Sequence, residues 1–166
     1  SLEQVDQFIR SGADKVTVNT GALENLRLIN QISEKYGSQC CTVSIDYREI
    51  NGIPLVFSNY GQINSNKNVL DWIKECEDNG AGEIFLNSID RDGMANGYDL
   101  DFISNVVEKV QLPLVACGGA GDFFDFVDLA STGVSGIAAG NIFHFTELSY
   151  PRAKKLLIEE GFNVRK

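Results

Sequence analysis

Asp46 is the first residue of this sequence whose type and position suit chemistry. It follows the apolar run CCTVSI, and a carboxylate at the rim of a buried strand is well placed to transfer protons. An Asp that caps a turn at the end of a strand is an equally common alternative. A second polar group, Asp90-Arg91-Asp92-Gly93, follows a later apolar run, where an Asp/Arg ion pair or an Asp-Gly turn would also explain it.

Glycines after two further apolar runs predict a site for a phosphate. Gly118-Gly119-Ala120-Gly121 precedes an amphipathic stretch, so backbone N–H groups and a helix start would face an anion there. A tight turn that lets the helix pack on the sheet is the alternative for a single Gly-Gly pair. The next apolar run ends in Gly140-Asn141, and glycine exits on the last two strands are typical of phosphate-binding α/β barrels. The two exits together favour phosphate binding.

Short β-branched runs alternate with amphipathic stretches along the chain, which predicts βα units and a parallel sheet. The C-terminal ends of parallel strands lie at the same edge of a sheet, so the polar residues described above should lie close together. The predicted strands cover residues 15–19, 39–46, 83–87, 112–117 and 136–139. The predicted helices cover residues 2–10, 24–36, 69–79, 101–110, 123–131 and 151–160.

Two segments depart from the simple alternation. Asn51-Gly52 lies between alternating arms, residues 48–50 and 53–57, and predicts a hairpin inserted after the second strand. The opening helix leads through Gly12 into a strand, and such a helix would normally follow a strand of its own. We therefore expect one domain over residues 1–166 that lacks its N-terminal strands, and a fold of the α/β class.

Composition narrows the classes of partner. The net charge of −9 argues against nucleic acid and anionic membranes, which need clustered Lys and Arg. No apolar run approaches the roughly 20 residues of a membrane span. The four cysteines show neither C-x-x-C spacing nor a nearby His, so neither a metal site nor a disulfide framework is indicated. These features fit a cytoplasmic protein.

Taken together, GADKVTVNT, GSQCCTVSID, GAGEIFLNSIDRDGMANGYD, PLVACGGAG and AAGNIFHF resemble the cyclase subunits of imidazole glycerol phosphate synthase. The resemblance extends over essentially the whole chain and implies a (β/α)8 TIM barrel, of which this chain covers roughly the last five strands. It also implies a lyase that uses ammonia to cleave a bis-phosphorylated ribotide and close an imidazole ring in histidine biosynthesis. The ammonia comes from glutamine through a separate glutaminase subunit in a heterodimer, and no metal or other cofactor takes part.

The same resemblance implies roles for individual residues. Asp46 matches the acid/base aspartate, which family members pair with a second aspartate on the first barrel strand. Lys15 and Glu83 match a charged gate for ammonia, and Asp14 and Gln39 match positions that face the glutaminase. The positions that match substrate and phosphate binding are Asn19, Thr20, Asn87, Asp92, Gly93, Gly118, Gly119, Gly140 and Asn141.

Three strand-end positions differ from the common pattern of that family, and so does a loop, where Tyr60 and the glycine-poor segment 62–68 replace Ser-Gly and Thr-Gly pairs. Asn87 replaces a usual Thr, Cys117 a usual Ser, and Asn141 another Ser. Asn and Cys can still donate hydrogen bonds or pack, so phosphate binding is compatible with these changes. The same differences allow an alternative function, that of a related ammonia-using subunit which takes part in the amidination of surface sugars. A further alternative is an open, doubly wound domain that binds a phosphorylated ligand or a protein without catalysis.

Overall fold

The computed structural model describes residues 1–145, Glu147 and residues 149–165. Within these residues the helices are α1 (Leu2–Arg10), α2 (Thr20–Glu24), α3 (Arg27–Tyr36), α4 (Val69–Asp78), α5 (Leu100–Lys109), α6 (Phe124–Ser131), α7 (Asn141–Phe145) and α8 (Ser149–Glu159). The strands are β1 (Val16–Val18), β2 (Cys41–Ile50), β3 (Ile53–Ser58), β4 (Ile63–Asn68), β5 (Glu83–Ser88), β6 (Leu114–Cys117) and β7 (Gly136–Ile137). Each of the five predicted strands is present within two residues of its expected bounds, except that β2 ends at Ile50, four residues beyond its predicted end. The chain is therefore an α/β protein.

Five strands form a parallel sheet, and their order across the sheet is the same as their order along the chain. The order is β1, β2, β5, β6 and β7. β5 pairs with Thr42–Tyr47 of β2, so β1 and β3 share the opposite side of that strand. β1 pairs with the first residues of β2, and β3 pairs with the last residues of β2. The antiparallel strands β3 and β4 therefore lie beyond the C-terminal end of β1.

The two faces of the parallel sheet differ in burial. Along β5, Ile84 and Leu86 are fully buried, whereas Phe85 and Asn87 are only partly buried, and β6 alternates in the same way. Right-handed crossovers between strands in sequential order place their helices on one face. A doubly wound sheet instead reverses its strand order and is covered on both faces. The alternative of an open, doubly wound domain is therefore wrong.

The hairpin after the second strand is confirmed, and it is longer than expected. Ile50 pairs with Ile53 across Asn51 and Gly52, which have φ of 52° and 78°, the left-handed values that a two-residue turn of this kind requires. β2 does not end at Asp46 but continues to Ile50 as the first arm of the hairpin. The segment 63–68, which we did not assign to a strand, forms β4 because its backbone pairs with β3.

Nearly all of the buried apolar side chains form one cluster between the sheet and the helices. Trp72 of α4 is 1% exposed and lies in that cluster, as its apolar helix face predicts. Asn68, the last residue of β4, caps α4, since its side-chain oxygen accepts the Leu70 N–H at 2.9 Å.

A contact between two helices lies on the outer surface. Asp6 of α1 accepts hydrogen bonds from Lys35 and Tyr36 of α3. None of the helices in the described ranges is both long and apolar enough to cross a membrane.

Candidate active site

Asp46 lies within β2, on the partly buried face of the sheet. Its backbone pairs with Phe57 of β3 on one side and with Asn87 of β5 on the other. Side chains two residues apart on a strand share a face, so Thr42 and Ser44 point the same way as Asp46. The carboxylate is therefore carried by a backbone that neighbouring strands hold on both sides, at the C-terminal end of the parallel sheet.

Two asparagine side chains, one directly after β1 and one in β5, hold the Asp46 carboxylate. Asn19 Nδ2 donates to Asp46 Oδ2 at 3.0 Å, and Asn87 Nδ2 donates to Asp46 Oδ1 at 3.2 Å. Asn19 directly precedes α2, at the position where an Asn commonly caps a helix, yet its side chain makes no cap hydrogen bond. Three of the predicted site residues thus meet in one cluster.

Gly118 allows the loop after β6 to approach Asn87 closely. A Cβ on Gly118 would lie 2.6 Å from the Ser88 carbonyl oxygen and 3.2 Å from Asn87 Oδ1. Gly118 also has φ of 96°, which side-chain-bearing residues rarely adopt. Only glycine fits at this position, so the first glycine of the Gly-Gly pair has a packing role next to the Asp46 cluster.

The loops after β5, β6 and β7 meet, which gathers most of the predicted phosphate-binding residues. Asn141 Nδ2 lies 3.5 Å from the Gly93 carbonyl oxygen, and a Cβ on Gly93 would lie 3.2 Å from that amide nitrogen. Gly97 N–H donates to the Gly119 carbonyl at 2.9 Å. In the described part of the chain, the N–H groups of Gly93, Gly119 and Gly140 have no hydrogen-bond partner. They are donors available to an anion.

The start of α6 is less available to an anion than the sequence suggested. Asp125 Oδ2 accepts from the N–H groups of Gly121 and Asp122 at 2.7 and 3.0 Å. Asp122 Oδ1 in turn accepts from the N–H of Phe124 at 2.7 Å. The chain's own carboxylates therefore cap this helix, and an anion at the glycine loop would bind on the side of Gly118 and Gly119.

A second network, which sequence reasoning missed, fixes the loop after β5. Tyr47 OH donates to Asp99 Oδ2 at 3.1 Å, and Arg91 donates to the Gly97 carbonyl at 3.2 Å and lies 3.9 Å from Asp99. Burial, followed by the charge of Asp99, raises the pKa of Tyr47, so the phenol stays a hydrogen-bond donor. The network supports the loop that carries Asp92. An Arg and an Asp eight residues apart around a glycine-rich turn were its only sequence signal.

Thr20 and Asp92 complete the C-terminal end of the sheet. The Thr20 hydroxyl oxygen accepts the Asn59 N–H at 3.0 Å, which leaves its own proton free to donate, and it ties β1 to the tip of the β3–β4 hairpin. Burial, followed by the charge of Asp92, raises the pKa of the Cys117 thiol to about 11, with Asp46 also contributing. Cys117 is therefore a neutral thiol that senses the charge of both carboxylates.

The opposite end of the sheet carries the predicted gate residues. Lys15 Nζ and Glu83 Oε2 form an ion pair at 2.7 Å, and Glu83 Oε1 accepts a hydrogen bond from Thr42 at 3.1 Å. Asp14 and Gln39 are exposed at the same end. A Cβ on Gly82 would meet the backbone of residues 38 and 39, so Gln39 lies close to the start of β5. Among the described residues, no cluster of His, Cys, Asp and Glu has the arrangement of a metal site.

The fold and the polar strand ends define a singly wound α/β protein with a carboxylate and glycine-lined loops at one end of its sheet. The chain belongs to the histidine biosynthesis protein family, whose pattern it matches over residues 1–149. It is 42% identical to the imidazole glycerol phosphate synthase subunit HisF of Natranaerobius thermophilus and 39% identical to that of Sulfurisphaera tokodaii. Each match covers 99% of this chain and 66% of the relative. The chain thus spans just under two thirds of the length of these relatives.

Proposed function

We propose that this chain is part of the cyclase subunit of imidazole glycerol phosphate synthase. The observation that carries the proposal is the Asp46 cluster at the same sheet end as the glycine-lined loops, in a chain about 40% identical to proteins named as that subunit. The reaction joins ammonia to a bis-phosphorylated ribotide, cleaves it and closes an imidazole ring. These steps move protons between carbon, nitrogen and oxygen atoms, and a fixed carboxylate can accept and return them.

Asp46 is the acid/base residue in this proposal. Asn19 and Asn87 each occupy one lone pair of the carboxylate, which has about four, so acceptor capacity remains for a substrate proton. The carboxylate is only partly buried, on the face of the sheet opposite the core, where a ligand can reach it. Thr42 and Ser44 lie on the same face of β2, between Asp46 and the other end of the sheet.

The two phosphates bind on opposite sides of Asp46. Asn19 and Thr20 at the end of β1 hold one, through the amide and the free hydroxyl proton. The loops after β5, β6 and β7 hold the other through backbone N–H groups, and their residues are Asp92, Gly93, Gly118, Gly119, Gly140 and Asn141. Since the chain has a net charge of −9, local N–H donors rather than an overall positive field must retain the phosphates.

Ammonia enters at the other end of the sheet in the proposed reaction. The Lys15–Glu83 pair forms the gate, and Asp14 and Gln39 face a glutaminase subunit that supplies ammonia from glutamine in a heterodimer. The pair is partly exposed, so it is weak enough to open. We further propose that the five parallel strands are the last five of an eight-stranded barrel, in a single cytoplasmic domain.

Asp46→Asn tests the catalytic role in the protein that carries this chain, with an ammonium salt replacing glutamine. We expect turnover to fall at least about 100-fold, the usual minimum for loss of an acid/base group, while substrate affinity stays within about tenfold. Asp101→Asn, an exposed change on α5, serves as the matched control and should keep full activity. Full turnover with lost affinity would contradict the role given to Asp46.

A growth test separates this function from the amidination of surface sugars. The substitutions at Asn87, Cys117 and Asn141 are the observation that keeps the second function open. The gene is introduced into a strain that lacks the cyclase and cannot make histidine. Restored growth without histidine supports the cyclase, and failure to grow, with the protein present and folded, favours the sugar pathway.

A further inference from the structure

The Asp46 carboxylate is held symmetrically, by one carboxamide on each oxygen. The two donors come from different strand ends, Asn19 after β1 and Asn87 near the end of β5, and their N–O distances are 3.0 and 3.2 Å. Asn87 is also the position paired directly with Asp46 in the sheet. Its side chain is therefore fixed beside the carboxylate by the backbone register.

In both asparagines the side-chain oxygen lacks a hydrogen bond from the described residues, while the nitrogen donates to Asp46. Within the described part of the chain, Asn19 Oδ1 and Asn87 Oδ1 are buried and accept no hydrogen bond. A buried acceptor without a partner destabilises a protein, so pure stability would favour another residue or another orientation. Asn19 even forgoes its ordinary role as a helix cap. This pattern indicates that the two side chains serve the carboxylate.

A carboxamide can serve a carboxylate in either protonation state. Its N–H donates to the ionised form, and after a half-turn of the amide its oxygen accepts from the protonated form. For Asn87 the half-turn breaks no hydrogen bond at Oδ1, because that atom has none among the described residues. A side chain at position 118 would crowd this amide, because a Cβ there would lie 3.2 Å from Asn87 Oδ1, so the glycine leaves space for the turn.

We propose that Asn87 is a positioning residue that acts through Asp46 and, with Asn19, holds the carboxylate in one orientation in both of its protonation states. When a substrate proton moves to Asp46, the amide turns and accepts the new O–H, and it turns back when the proton leaves. The carboxylate then need not reorient between taking up a proton and returning it. This inference rests on the proposed function and deepens it, because Asn87 then aids proton transfer instead of holding phosphate.

Three variants of Asn87 test the kinetic part in the intact protein with an ammonium salt. Asn87→Thr keeps a group that donates and accepts, and we expect kcat within about threefold of the unmodified protein. Asn87→Leu is similar in size but does neither, and Asn87→Asp cannot donate when ionised. Both should lose at least about tenfold in kcat, with KM within about threefold. A rise in KM at constant kcat would overturn the proposal, as would equal losses in Thr and Leu.

A double-mutant cycle tests the contact without any assay of turnover. Asn87→Leu is measured by urea unfolding in the unmodified protein and in Asp46→Ala. If Asn87 serves Asp46, Asn87→Leu should lower the folding equilibrium constant by a factor that is at least about fivefold larger in the unmodified protein than in Asp46→Ala. Asn30→Leu, an exposed change on α3, should instead be additive with Asp46→Ala.

The two experiments separate failure of the inference from failure of the proposed function. Additivity between Asn87 and Asp46 would overturn the clamp whatever the protein catalyses. Coupling in a protein that does not turn over the cyclase substrate would reject the proposed function while supporting the contact. Coupling together with the expected loss of kcat supports both.

Discussion

Gly119→Ala should weaken both the fold and the glycine-lined loops. Gly119 has φ of 123°, and an added Cβ would lie 2.2 Å from the Gly97 carbonyl oxygen and 3.1 Å from the Tyr98 nitrogen. The unfavourable φ costs about 1–2 kcal/mol for a residue with a side chain. Separating the loops would also break the Gly97 N–H bond to the Gly119 carbonyl, worth about 1 kcal/mol. We expect a loss of about 2–3 kcal/mol in the free energy of unfolding.

Gly12→Ala is the matched control for that change. Gly12 has φ of 99°, similarly positive, but no atom lies within 4 Å of its added Cβ. It should therefore lose only the conformational part, about 1–2 kcal/mol. Urea unfolding followed by the fluorescence of Trp72, the single tryptophan, measures both variants. Equal losses in the two variants would show that the loops after β5 and β6 do not pack as described, and would refute the reasoning.

Three further predictions concern thiol reactivity, pH and the core. At pH 8, Cys117 should react with iodoacetamide about 100-fold or more slowly than a free thiol, because its pKa of about 11 leaves little thiolate, and the rate should still rise tenfold per pH unit up to pH 9. Hydrogen bonds from Lys35 and Tyr36 lower the pKa of Asp6, so their stabilisation is present above its unfolded pKa, about 3.9, and is lost as pH falls through the lower folded value. Asp6→Asn should therefore lower the melting temperature at pH 7, and its effect should shrink steadily as the pH falls below about 3.9; an effect of constant size over this range would contradict the ion pair. Trp72→Ala should cost about 3–5 kcal/mol of unfolding free energy, measured by circular dichroism, and a loss below 1 kcal/mol would contradict its burial.

The parallel strands and most helices were predictable because local patterns encode them. β5, with its alternation of buried and partly buried residues, and α4, with Trp72 on its apolar face, follow directly from hydrophobic periodicity. β4 was missed because its sequence, INSNKN, has little strand propensity. It is a strand because β3 offers its backbone a partner, and that information lies elsewhere in the chain.

The polar strand ends were predictable as a group, but their mutual contacts were not. Asn19 and Asn87 lie 27 and 41 residues away from Asp46 in the sequence, and only the sheet register brings the three side chains together. Asp125, by contrast, accepts from N–H groups only three and four residues before it, and the spacing of Asp122 and Asp125 at the helix start could have indicated that these donors are occupied. Contacts between residues far apart in the sequence are different. Such contacts depend on the tertiary arrangement, which residue types alone do not specify.

The continuation of β2 past Asp46 has a consequence for how this protein could diverge. The backbone at that position is bonded to strands on both sides, whereas the groups proposed to recognise the substrate lie in loops. Insertions or exchanges in those loops would alter which molecule is accepted without displacing the carboxylate. The arrangement separates the carboxylate from the loops proposed for recognition, so it offers a starting scaffold for laboratory evolution toward other substrates.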